Sequence, residues 1–102
     1  MSTLHTVNKS PFTHTTLGSC LAICADGDAI LLLEDGVFGA LPSSPYREGL
    51  IERLNKGAKI YVLIDDVKAR GLSEKLMHDI NSIDYAEFVQ LSTIHRRVQS
   101  WY

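Results

Sequence analysis

Ala29-Ile30-Leu31-Leu32-Leu33, followed at once by Glu34-Asp35-Gly36, is the stretch whose reading decides the fold. Five apolar residues in a row leave no alternate positions for a wet face. A strand of this kind is covered on both sides, as in a parallel sheet packed between helices. The acid pair and Gly36 mark where the strand stops. In open parallel sheets, working sites gather at these carboxyl ends, so the region after residue 33 is also where function is first sought.

The same punctuation runs outward in both directions. Leu4-His5-Thr6-Val7 alternates and is β-prone, giving a first strand at about 3–8. Ser10-Pro11 reads as a helix start, serine capping and proline in the first turn. Leu17, Cys20, Leu21 and Cys24 follow one helical face, so the first helix is expected over 12–25, stopped by Asp26-Gly27. The second strand covers 28–34. A helical turn at 36–41 is broken by Pro42-Ser43-Ser44-Pro45. Ser44-Pro45 opens another helix with Leu50, Ile51 and Leu54 inward and Gly57 as its stop.

Lys59 to Ile64 is the third strand, closed by Asp65-Asp66, with a turn over Val67–Arg70. Ser73 to Asp79 is weakly helical and Asn81 to Ile83 reads as a short fourth strand. Asp84-Tyr85-Ala86-Glu87 has the spacing of a capping box for a helix over 85–95, with Phe88, Leu91 and Ser92 inward. Val98 to Trp101 closes the sheet. The expected fold class is α/β, a three-layer α/β/α sandwich on a mostly parallel sheet of about five strands, with right-handed crossovers and residues 1–102 as one domain.

The chain has 102 residues, with 10 basic against 12 acidic side chains and a formal net charge of -2. That balance gives no general drive toward nucleic acid or an anionic membrane. Acids crowd into Asp26, Asp28, Glu34 and Asp35, whereas Lys9 is the lone base before Arg47. No apolar run approaches the roughly 18–20 residues that span a bilayer. The start lacks a secretory signal pattern, so a cytoplasmic location is the default expectation. Two cysteines, Cys20 and Cys24, are too few for a disulfide scaffold, and their helical spacing makes a mutual bridge awkward.

Several segments resemble the TusB/DsrH family of sulfur-relay proteins, in order along the chain. They are Leu4 to Phe12, Gly27 to Val37, Asp65 to Leu72, Ile83-Asp84-Tyr85, Phe88-Val89, His95, and the closing Val98-Gln99-Ser100-Trp101. The resemblance implies a DsrE-like fold and assembly with TusC/DsrF-like and TusD/DsrE-like subunits into a heterohexamer. In the Tus branch such a complex passes persulfide sulfur toward 2-thiolation of the tRNA wobble uridine. In the Dsr branch it serves sulfur oxidation. The family's principal sulfur-carrying cysteine belongs to the TusD/DsrE subunit. DsrH-type members carry a cysteine on the first helix, and Cys20 stands at the matching place.

Cys20 is therefore the candidate persulfide carrier. Sulfur relay needs an accessible thiol of lowered pKa, yet no cation sits immediately beside Cys20, which shares its stripe with Leu17 and Leu21. The competing reading is a small apolar residue in the core or under a partner. Cys24 reads as structural. His14 with the two cysteines falls short of a closed zinc site, so no metal is expected. The hydroxyls of Asn8 to Thr16 invite comparison with a flavodoxin phosphate loop, but the glycines that wrap phosphate are missing, and no cofactor is expected.

Asp65-Asp66 and Asp35 read as caps, with an acidic patch facing a partner as the second reading of Glu34-Asp35. His5 and His95 read as satisfied structural histidines, and Trp101-Tyr102 as aromatic residues docked on this chain or a neighbour. An accessory subunit of a sulfur-relay complex is the leading expectation. A sulfur carrier acting through Cys20 and a flavodoxin-like cofactor binder are the alternatives. Direct nucleic-acid contact is not expected, and an isolated chain is free to form a homo-oligomer.

Overall fold

The computed structural model describes residues 2–102. Its centre is a five-stranded sheet, β1 (Thr3–Val7), β2 (Ala29–Leu32), β3 (Lys59–Leu63), β4 (Asn81–Ile83) and β5 (Arg97–Trp101), in the order β4-β3-β2-β1-β5. Every neighbouring pair is parallel. The chain steps from β1 through β2 and β3 to β4, then crosses back to lay β5 on the other side of β1. The strand order therefore reverses between β1 and β5.

β2 earns its place in the middle through its side chains, all four of which are buried. They divide between two cores by strand alternation. Ile30 and Leu32 join Val7, Ile60 and Val62 on one face, against Leu17, Cys20, Leu21 and Cys24 of α1 (Thr16–Ile23). Val37 and Ala40 of a 3₁₀ helix over Glu34–Ala40, Leu50 of α2 (Arg47–Asn55) and Val67 of α3 (Ile64–Ala69) complete that core. Ala29 and Leu31 point the other way, with Leu4 and Ile83, toward Phe88 and Leu91 of α4 (Tyr85–Ile94). Among the described residues α4 alone covers this second face, and none of its residues is fully buried.

Local differences from the sequence reading have local causes. α1 starts at Thr16 because residues 10–14 close a separate turn: Thr13 and His14 amides donate to the Ser10 carbonyl, and the Phe12 amide donates to Ser10 Oγ. Ser10 thus caps that turn and not the helix. The segment over 64–69 is a helix, α3, where only a turn is expected, and residues 73–79 form turns where weak helix is expected. The Asp84–Glu87 capping box is present on both sides, at 2.8 and 3.1 Å.

Candidate functional site

Three enclosed polar side chains, His5, Cys24 and Asp28, gather at the amino end of β2, while Asn8 Oδ1, beyond the carboxyl end of β1, is buried without a hydrogen-bond partner. Asp28 immediately precedes β2 and lies beneath the end of α1. Its carboxylate accepts from the Thr3 amide at 2.9 Å, the Ala25 amide at 3.0 Å and His5 Nε2 at 2.8 Å. Burial opposes the charged form, but the Ala25 amide, the His5 imidazole and the Thr3 amide together hold the carboxyl below its ordinary range. One side chain thus ties β1, the end of α1 and the entry to β2.

His5 is bonded at both ring nitrogens. Trp101 Nε1 donates to His5 Nδ1 at 3.0 Å. An indole N–H can only donate, so Nδ1 holds a lone pair and the ring proton sits on Nε2, directed at Asp28. The His5 and Trp101 rings lie 6.2 Å apart, tilted by 39°. His5 is the satisfied structural histidine that the sequence suggests, and Trp101 docks on its own chain. Tyr102 stays exposed.

Cys24 completes a triplet with these groups. Ligand atoms of His5, Cys24 and Asp28 all lie within 4.8 Å of one another, and all three residues are buried. This is a different trio from the His14-cysteine set of the sequence reading, since His14 is exposed and bonded to Thr13 Oγ1. The trio is poorly disposed toward a cation. Nε2 has no free lone pair while Trp101 donates to Nδ1, and Asp28 already accepts three hydrogen bonds.

Both thiols are free and enclosed. Cys20 has no exposed surface, and burial, with Cys24 and Asp28 nearby, pushes its thiol up to about 12 against a smaller pull from Arg53. Cys24 is raised chiefly by burial and then by Asp28. Thiolate, the form that attacks a persulfide, is disfavoured at both positions in this closed arrangement. Arg53 is the cation that sequence distance concealed: from α2 it donates to the Leu21 carbonyl at 2.7 Å, near the end of α1.

At the carboxyl ends of the strands, the acids hold loops together. Asp66 accepts from the Glu34 amide at 2.7 Å, although Glu34 has a left-handed φ of 51°. Arg70 reaches Asp35 at 2.9 Å and the Asp66 carbonyl at 3.1 Å. Neither α3 nor the 3₁₀ helix has a side-chain cap, so Asp35 and Asp65-Asp66 are not the caps that the sequence suggests. In the 10–14 turn, the amides of Phe12, Thr13 and His14 are spent within the turn. They do not form the cradle of free amides that binds phosphate. His95 closes α4 and bonds through Nδ1 to Ser2 Oγ at 2.9 Å.

Sheet, crossover and polar knot define a small all-parallel α/β protein whose enclosed His5 and Asp28 brace the fold. Its backbone is similar to that of the ychN protein from E. coli, with TM-score 0.80 over 98% of this chain and 99% of that one at 17% identity. It is also similar to Tm0979 from Thermotoga maritima, with TM-score 0.61 and 28% identity over 91% and 92% of the two chains. Residues 9–98 match the family described as DsrH like protein. "Protein TusB" from Escherichia coli O81 is 40% identical over 98 residues, covering 96% of this chain and 99% of that protein. The corresponding protein of Shigella flexneri is 39% identical over the same share. The chain belongs to the DsrH/TusB family.

Proposed function

We propose that this protein is an accessory subunit of a cytosolic sulfur-relay complex. It works beside TusC/DsrF-like and TusD/DsrE-like subunits, in a heterohexamer with two copies of each, and has no independent catalytic activity. The complex passes persulfide sulfur toward 2-thiolation of the tRNA wobble uridine. The observation that carries this reading is family membership over nearly the whole chain, with 40% identity to a TusB protein.

Two structural features support the accessory role. Both thiols are enclosed, which suits a brace better than a carrier. Among the described residues the second face of the sheet is covered by α4 alone, and Tyr85, Val89 and Ile94 of that helix are exposed together with Val98 of β5. Apolar side chains left in this way suit contact with sister subunits. Among the described residues, no helix is long and apolar enough to cross a membrane.

Co-expression with TusC-like and TusD-like proteins tests the reading. The three chains are expected to elute together, and deletion of this chain should remove 2-thiouridine from cellular tRNA. A chain that stays monomeric beside both partners overturns the proposal. The carrier role of Cys20 is decided separately. After loading with a persulfide donor, the Cys20 peptide should show no added sulfur if Cys20 is a core residue. A one-sulfur mass increase, lost in Cys20→Ser, makes it a carrier and moves the chain toward the DsrH-type reading.

A further inference from the structure

β5 is an edge strand with one neighbour, β1, and four of its five side chains are exposed. Trp101 is the exception, packed against the α1-side core. The strand's carboxyl end is therefore anchored by its ladder to β1 and by one indole. That indole makes its hydrogen bond to a group whose acceptor atom a proton can take. Trp101 donates to His5 Nδ1, and Nε2 already donates to Asp28. A proton added to His5 has only Nδ1 to occupy. It turns the acceptor into a donor that faces the indole N–H, and two donors repel.

We propose that His5 and Trp101 form an acid-operated latch, in which proton uptake at His5 Nδ1 expels the indole and frees the carboxyl end of β5. Water can deliver the proton. His5 and Trp101 line the same surface cleft, of about 270 Å³, with Thr3, Ile23, Arg97 and Gln99. The charges around His5 act in both directions. Asp28, at the entry to β2, steadies the imidazolium through the bond it already makes. Arg97 of β5 lines the cleft and opposes a new positive charge, as does Arg53 of α2 near the end of α1. Cys24 at the end of α1 contributes no charge in its thiol form. The Asp28 bond survives protonation, so the change is confined to the Trp101 side. β1 keeps its pairing with β2, and the amino half of β5 keeps its ladder.

The chain contains one tryptophan, so one indole N–H resonance reports the latch. The 102-residue protein is followed by NMR from about pH 8 to about pH 5, the range in which imidazoles change charge. The His5 ring protons, the Trp101 indole N–H and amide exchange are followed together. The indole signal should move with the His5 midpoint, and amides at 99–101 should lose protection while those of β2 and β3 keep theirs. In Trp101→Phe, which lacks the indole N–H, the amides at 99–101 should exchange at a rate that no longer changes across this pH range beyond the intrinsic dependence. An indole signal that stays still while His5 titrates overturns the latch. So does an acid loss of protection at 99–101 that persists unchanged in Trp101→Phe. Should that variant not fold, the wild-type titration decides alone.

Discussion

Gly36 lies against the carbonyl of Val7 so closely that a Cβ placed on it would stand 2.0 Å from the oxygen. The contact joins the 3₁₀ helix after β2 to the end of β1. Leu33 strengthens it by donating its amide to the same carbonyl at 3.1 Å. Neither partner is a flexible side-chain tip, so nothing can swing aside to admit a methyl group. Gly36→Ala should destabilise the protein by roughly 2–4 kcal/mol, read from urea unfolding. Gly27→Ala is the contrast. Its added Cβ meets nothing within 4 Å, and its cost is that of a left-handed φ of 88° alone, about 1 kcal/mol.

Asp28 gives a stability that depends on pH. Its carboxyl is held below its ordinary value in the folded chain. The unfolded chain therefore binds its proton more readily, and the stabilisation is complete above the unfolded value of about 4. It is lost as pH falls through the lower folded value. Asp28→Asn should flatten the acid limb of a stability–pH curve measured by denaturant titration. It should also cost about 2–3 kcal/mol at neutral pH, because two backbone amides and His5 Nε2 lose their charged acceptor. An unchanged acid limb would sink this account of Asp28.

Cys20 should behave as a core residue toward reagents. With no exposed surface and a thiol raised to about 12, it should react with a disulfide reagent at least about tenfold more slowly in the folded than in the denatured protein. Cys20→Ala should cost less than Cys20→Ser, since the serine hydroxyl has no partner in that apolar layer. Thermal midpoints of the two variants check the order.

The Asp84–Glu87 capping box is a modest and separable contribution. Asp84→Ala leaves the Glu87 amide without its acceptor and should cost about 1 kcal/mol. In a chain of this size that lowers the thermal midpoint by roughly 4–8 °C. A shift under about 1 °C would show that α4 is held by its packing on Ile83 and Leu31 and not by its cap.

The parallel sheet is legible in the chain because its signals are local. An unbroken apolar run at 29–33, a capping box at 84–87 and glycines that end helices each act within a few residues. Element bounds are less legible. Ser10-Pro11 carries a genuine cap, but of a turn, since one serine satisfies amides equally well in either setting. The polar knot is hidden for a different reason. Asp28 finds His5 23 positions away, and His5 finds Trp101 96 positions away. No window of sequence contains both partners. Arg53 is likewise 32 positions from the carbonyl it bonds. The only local sign is an acid placed directly before a strand that is otherwise wholly apolar.

The placement of β5 beside β1 has a consequence for biosynthesis. β1 lies inside the sheet, yet one of its two neighbours, β5, is the last of the sheet's five strands in chain order. While residues 97–101 remain in the ribosomal tunnel, the outer flank of β1 is an open row of amides and carbonyls that invites pairing with another chain. The nascent protein can close the rest of the sheet early, but it must guard that flank until residues 97–101 emerge.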